Sequence, residues 1–466
     1  MEELVALLRL LEFDILNYLD GKSSLLVEGI RKGKYSSSSQ VDIYKGKNKA
    51  ILTSQLISKV KSRVLNLMLI HPDQWKGSMN HQEETWRRVS NFKAMVIRGR
   101  RKESKSEGDR ILKQAIKKSY SEIIILVAKD LMHGAGLVGD RKSFLKYKKL
   151  MNKYNEVVKV EHDLLVIYFD MITREKRKIE LINKVEEFVL GMDEVKLVSN
   201  FSYVMFCHVK IFLALSKFDY LKVIGICEKA IVELELRKAT VKNLVFGFRL
   251  RKAVAQLGIA QYENAIIEVE KAEVLYPESG YNNVVVNINK MIVLIHAKKF
   301  NEAVVTFKNC DNLELHEEWF KLIGAYLNFV EDKDIRIGKF LNEVPKFSKD
   351  KTGYNLIVIG VQLLHLLKQR KMELVIEKID SLVNYKTNYL NSDATKRAKV
   401  FVKMLIELKR GNFNRINVEN RTKDLYTKLI NQEFEIPLNL IIEIIPFDQI
   451  WNQVLSLLGT HTTKYK

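Results

Sequence analysis

The stretch AQYENAIIEVEKAEVLYPESG, Ala260 to Gly280, sets two alanines seven residues apart, Ala265 and Ala272, in a run that stops at Pro277. Tyr262, Ala265, Ile266, Val269, Ala272 and Tyr276 fall at helical spacing on one side, with Glu263, Asn264, Glu270 and Lys271 on the other, which predicts an amphipathic helix. Proline cannot continue a helix interior, so the run ends there. Upstream, NLVFGFRLRKAVAQLGIA, with Ala253 near its middle, predicts a second helix ending at Gly258 and joined through a short turn. Small side chains at the facing positions let two helix axes approach closely where larger ones would hold them apart. Five prolines and 21 glycines in 466 residues leave long helices few enforced breaks.

The pattern recurs along the chain. Phe300 and Ala303 repeat the aromatic residue followed by alanine, while Phe218, Met372 and Phe413 each open a second helix after a polar turn. Taken through Phe218, Tyr262, Phe300, Met372 and Phe413, the intervals are 44, 38, 72 and 41 residues, and DIRIGKFLNEVP fills the long one as a degenerate copy. A unit of roughly 36 to 44 residues holds two helices and two turns, and a chain of such units stacks them into an array.

Ala253, Ala265, Val269, Ala272 and Pro277 stand at the small, small, large-apolar, small and proline positions of the tetratricopeptide repeat superfamily, which the sequence resembles here. The chain departs from that pattern at Arg249, where the family usually has tryptophan, and at Gln256, where it has an aromatic residue or leucine. The next unit keeps Ala303 and Phe307 but carries Cys310 in place of the last alanine. The resemblance implies an all-α, right-handed α-solenoid of antiparallel helix pairs, and residues 76–436 are read as that array. The repeat-packing residues are then Ala253, Tyr262, Ala265, Val269, Ala272, Phe300 and Ala303. Residues 437–466 include the apolar run IPLNLIIEIIPFDQIWNQVLSLLG, read as capping helices that cover an exposed end of the stack.

Residues 1–75 read as a small basic helical region. The segment Lys49 to Ile70 predicts a long helix ended by Pro72, with Leu52, Leu56, Val60, Val64, Leu67 and Met68 inward and Gln55, Lys59, Ser62, Arg63 and Asn66 opposite. Preceded by another helix and a polar segment, it resembles the recognition element of a helix-turn-helix or winged-helix domain, although no diagnostic motif fixes base-reading residues. Charge is concentrated in this part of the chain. Residues 1–160 hold 32 basic and 17 acidic side chains, a net +15, and the remainder adds +6 to reach +21. Such a field attracts nucleic acid, acidic proteins or anionic membrane surface, and a solvated basic surface is the plain alternative. Lys59, Lys61, Arg63, Arg98, Arg100, Arg101 and Lys102 are the candidate contacts, the last four within the run RGRRKESKSEGDR. Nearby Trp86 and Phe92 offer base stacking, although Trp86, Val89 and Ala94 fit a helix core better.

Catalytic motifs are weak. GAGLVG, Gly134 to Gly139, matches a dinucleotide-binding spacing, but AKDLMH separates it from the strand-like EIIILVAK and no βαβ pattern follows, so a helix end and turn explain it better. His316 opens HEEWF without a second histidine, and adjacent Cys207 and His208 project about 100° apart on a helix, poorly placed to share a metal. Cys207, Cys227 and Cys310 form no paired motif. No cofactor, metal or small-molecule substrate is expected. The N-terminal MEELVALLRLLEFDILNYLDGK carries acids where a secretory signal has lysines, and no run reaches the roughly 18 apolar residues of a membrane span, which predicts a cytoplasmic protein. The expected function is a non-enzymatic scaffold or adaptor for a protein or peptide partner. The alternative is a nucleic-acid-binding regulator with a basic N-terminal third and a repeat platform.

Overall fold

The computed structural model describes residues 1, 4–5, 8, 16, 19–35, 37–70, 80–173, 179–237, 242–275, 281–310, 317–331, 354–389, 396–432 and 443–459. Pro72, Tyr276, Pro277, His316 and the degenerate copy at 334–345 lie outside them. Among the described residues there are nineteen α-helices and no β-strand, and helices adjacent in sequence pack on one another. The chain divides into two compact units, Met1–Val158 and Lys159–Lys466. Among the described residues no helix is long and apolar enough to cross a membrane.

In the first unit, α1 (Gly21–Arg31) packs on α2 (Lys49–Ile70), and four more helices follow as α3 (Asn80–Ile97), α4 (Arg101–Lys118), α5 (Ser121–Leu137) and α6 (Arg141–Thr173), the last running past the division between units. The expected inward stripe of α2 holds at Leu56, Val60 and Val64, which are buried with Leu26, Val27 and Tyr35. A second cluster joins α3 to α6 through Val89, Phe92, Ile111, Ile124, Leu131 and Tyr147. Phe92 is therefore a core residue, and Trp86 is 42% exposed. EIIILVAK lies inside α5, and Gly134 and Gly136 end that helix.

The second unit continues with α7 (Ile179–Gly191), α8 (Asn200–Ser216), α9 (Tyr220–Leu236), α10 (Lys242–Gly258), α11 (Tyr262–Glu273), α12 (Tyr281–His296) and α13 (Phe300–Lys308). Then come α14 (Glu317–Glu331), α15 (Tyr354–Lys368), α16 (Met372–Tyr389), α17 (Lys396–Arg410), α18 (Arg415–Asn431) and α19 (Phe447–Leu457). Ala253, Ala265, Val269, Ala272 and Ala303 are all buried, and Tyr262 and Phe300 pack partly buried against the same core. Arg249, at the position expected for tryptophan, donates from Nη1 to Glu268 Oε2 at 2.9 Å, and Lys252 Nζ reaches Glu268 Oε1 at 3.2 Å. Burial opposes ionisation of Glu268, but these cations outweigh it and hold its pKa below the usual carboxylate value.

Among the described residues one turn geometry joins consecutive α-helices eight times. Gly99, Ser119, Gly139, Phe218, Ala260, Lys298, Arg370 and Asn412 take left-handed φ between 53° and 70°. The amide of the following residue donates to the carbonyl five positions back, at 2.8–3.0 Å, which satisfies the end of the preceding helix. The next helix starts two residues after the left-handed one, at Tyr220, Tyr262, Phe300 and Met372 for example. This corrects the register of the first repeat. Phe218 occupies the turn position of Ala260, and Tyr220 is the counterpart of Tyr262. Phe413 also takes positive φ, so its helix begins at Arg415. Left-handed backbone costs a side chain roughly 1–2 kcal/mol, and glycine escapes that cost at the expense of unfolded-state entropy. Lys298→Gly and Arg370→Gly are each expected to raise stability by about 0.5–1 kcal/mol, read as a higher urea midpoint at unchanged slope.

Part of the second unit's core surrounds α19. Phe447, Ile450, Trp451 and Val454, spaced as one helical stripe, are all buried, and α19 packs on α15, α17 and α18. Gln449 Nε2 donates to the Ile295 carbonyl at 3.1 Å, and Tyr326 donates to Gln449 Oε1 at 3.3 Å. The segment expected to cap the array is therefore laid along α12, α14, α15 and α17. Gly360 makes room for it, since a Cβ there would lie 3.2 Å from Ile450 Cγ2. Phe401 and Phe447 stack with centroids 4.5 Å apart. Because α19 covers a side that would otherwise face solvent, α15 is apolar and buried almost all round, from Asn355 to Leu367.

Histidines inside this unit make it acid-sensitive. His208 sits between the Tyr168 and Phe248 rings, and burial, then Arg251, lowers its pKa to about 3. Burial likewise takes His296 to about 4, against the pull of its 2.8 Å contact with the Glu443 carbonyl. An unfolded histidine binds its proton near pH 6.5, so between there and about pH 4 the unfolded chain holds more protons and stability falls as pH falls. A loss of about 1–3 kcal/mol between pH 7 and 5 is expected in thermal or urea unfolding. His208→Phe should make that dependence shallower.

Candidate partner-binding surfaces

Two surfaces are candidates for partner binding, and only the first was expected from the sequence. The first carries the basic residues, which the structure places on separate elements. Lys59, Lys61 and Arg63 lie on α2, whereas Arg98, Arg100, Arg101 and Lys102 form the α3–α4 turn and the first residues of α4. The two sets belong to helices that pack into different apolar clusters. Lys59 is committed to an ion pair with Asp20, the residue whose Oδ1 accepts from Ser23 N at 3.0 Å and caps α1. The Lys59 hydrogen bond, followed by those from Ser23, holds the Asp20 carboxyl well below the usual range. Lys61 and Arg63 also have partners. The presumed recognition side of α2 thus spends charge internally. Arg98, Arg100, Arg101 and Lys102 are all exposed, and none is in an ion pair among the described residues. The run RGRRKESKSEGDR is mostly helical, because α4 begins at Arg101.

The second surface was not legible in the sequence. Between the short turn Glu194–Lys196, α8 and α9 lies a cavity of about 570 Å³ lined by Glu194, Leu197, Tyr203, Glu228, Lys229, Val232, Glu233 and Arg237. Ser199 starts α8 by accepting from Ser202 N at 2.9 Å, and Asp219 starts α9 by accepting from Lys222 N at 3.0 Å, so both walls are anchored at their N-termini. The Arg237 guanidinium lies over the Tyr203 ring at 4.5 Å, with Nε donating to Glu233 Oε1 at 2.8 Å and Nη1 to the Leu197 carbonyl at 3.3 Å. Burial, with a contribution from Cys207, raises the Tyr203 hydroxyl pKa far above neutrality, so it stays protonated. Val232, in the lining, is 56% exposed, and Leu236, one turn further along the same helix, is 71% exposed. Two exposed apolar side chains on α9 beside carboxylates and cations make an amphipathic recess. The signal for it was the apolar residues on the outward side of α9, which periodicity alone assigns to no partner.

Chemistry is sparse at both surfaces. Cys207 and Cys227 are free and buried, and burial pushes their thiols up to about 11 and about 12, far from a reactive thiolate. Cys310 is also free and buried, accepting from Asn287 Nδ2 at 3.6 Å. Among the described residues no group of three His, Cys, Asp or Glu side chains is placed to hold a metal ion. No protein-family model, curated protein or solved structure matches the chain.

Proposed function

We propose that this chain is a non-enzymatic helical-repeat scaffold, a tetratricopeptide-like right-handed solenoid of antiparallel helix pairs, that binds a protein or peptide partner. The observation that carries this reading is the seating of α19, which buries Phe447, Ile450, Trp451 and Val454 where it packs on α15, α17 and α18. A stack that holds its own amphipathic helix in this way has the physical means to hold another chain's. The stretch covered by α19 is already filled, so the partner surface is assigned to the α8–α9 recess, where Val232 and Leu236 are exposed on the helix that carries Glu228 and Glu233 and has Arg237 at its C-cap. An amphipathic segment with a basic flank suits that mixture.

The full-length protein used as bait is expected to retain one protein partner through a high-salt wash, because apolar burial is not screened by salt. Val232→Asp with Leu236→Asp should release it while leaving the fold intact, since both side chains are exposed. Recovery of salt-labile nucleic acid alone, or a partner indifferent to the double substitution, would overturn the assignment.

A further inference from the structure

The basic α3–α4 turn has a neighbour. Lys105, one helical turn past Arg101, donates from Nζ to Asp140 Oδ2 at 3.2 Å and to Ser143 Oγ at 3.3 Å, which ties it to the α5–α6 turn. Both turns have the left-handed geometry, with Gly99 at φ 68° and Gly139 at φ 70°. The second brings Arg141 and Lys142, exposed and outside any ion pair among the described residues, to the end of the helices that already carries Arg98, Arg100, Arg101 and Lys102. The opposing charges there are Glu103, which is exposed, and Asp140, which is held by Lys105 and by the Ser143 amide.

Apolar side chains project among these cations. Ile97 is 83% exposed, Leu137 60% and Val138 57%, each directly beside one of the two turns. Leu145, one helical turn past Arg141, is 50% exposed. Polar residues usually occupy connection tips, where aliphatic exposure gains nothing in water. Two adjacent tips that carry aliphatic residues within a set of arginines and lysines match the layered chemistry of a bilayer surface, with acyl chains below and phosphates above. We infer that this end of the first unit docks on a bilayer containing anionic lipids. Ile97, Leu137 and Val138 enter the acyl boundary, and the six cations meet headgroup phosphates. A nucleic acid would match the cations and leave the aliphatic tips in water. A protein partner would need an acid-rimmed recess shaped to both tips, whereas a fluid bilayer adapts to them.

The inference is independent of the α8–α9 recess, which lies in the other unit. It is tested by flotation of the full-length protein with phosphatidylserine–phosphatidylcholine vesicles, phosphatidylcholine vesicles and a DNA duplex as competitor. Binding is expected only to the anionic vesicles and is expected to weaken with salt. Each cation near such a surface contributes roughly fivefold and each introduced carboxylate is repelled as well, so Arg98→Glu, Arg101→Glu and Arg141→Glu together should weaken binding by at least about 100-fold. Ile97→Ser, Leu137→Ser and Val138→Ser together should weaken it by about tenfold or more at constant charge. All six positions are exposed, so both triple variants should keep the wild-type circular dichroism spectrum and melting midpoint. Equal binding to neutral vesicles, no vesicle binding, full binding by the serine variant, or displacement by the duplex would each overturn the inference, the last pointing to nucleic acid.

Discussion

Trp451→Ala is expected to destabilise the second unit by about 3–5 kcal/mol. Trp451 is 1% exposed on α19, among Phe447, Ile450 and Val454, and its removal would leave a cavity that the rigid surrounding helices cannot collapse to fill. The loss should appear as a lower urea midpoint. Its reach is the more telling measurement. Because α19 packs on α15, α17 and α18 and Gln449 bonds to the end of α12, hydrogen exchange should accelerate in all of those helices together. Asn452→Ala, one residue away and exposed, should change stability by less than about 0.5 kcal/mol. If the two substitutions had equal effects, α19 would not be part of the core.

Arg397→Met should cost a comparable amount for a different reason. Arg397 and Glu443 are each 3% exposed and joined in a forked ion pair, with Arg397 Nη2 to Glu443 Oε2 at 3.0 Å. Arg397 also donates to the carbonyls of Leu429 and Gln432, and Glu443 Oε2 accepts from Phe447 N at 3.1 Å, which ties the start of α19 to α17 and α18. Removing one member of a buried pair leaves the other charge uncompensated, a loss of about 3–5 kcal/mol. Burial already raises the Glu443 pKa despite the adjacent guanidinium, and without Arg397 it must rise further. A group whose folded pKa lies above its unfolded value is destabilising as pH rises through that range. The deficit of Arg397→Met relative to wild type should therefore shrink as pH falls toward about 4.5. Adding Glu443→Gln should recover part of the loss at pH 7. If the double variant were no better than the single, the uncompensated charge would not be the cause.

The helices and their inward sides were legible because burial of one side leaves a periodic trace in residue type. Ala265, Val269 and Ala272 were read from spacing, and all three are fully buried. The turns were harder. Ser119, Phe218, Ala260, Lys298 and Arg370 adopt a conformation for which glycine is the usual signal, so the recurring connection leaves little mark in composition and the first repeat was aligned two residues early. Of the candidate sites, the basic run was visible as a run. Its neighbours Arg141 and Lys142 were not, because forty residues separate the two turns that Lys105 and Asp140 bring together. The α8–α9 recess left only the outward apolar residues of α9 as a trace, for the same reason, since Glu194 and Arg237 line one cavity only in the folded chain.

Residues close together in the chain specify the helices, the packing of each on its sequence neighbour and the excess of positive charge. The tertiary structure alone decided where the C-terminal apolar segment lies. Periodicity marks the side of α19 that must be buried but not which helices receive it. The choice rests on distant groups that fit one another: the missing Cβ of Gly360 under Ile450, the Ile295 carbonyl for Gln449, and the Arg397 guanidinium for Glu443.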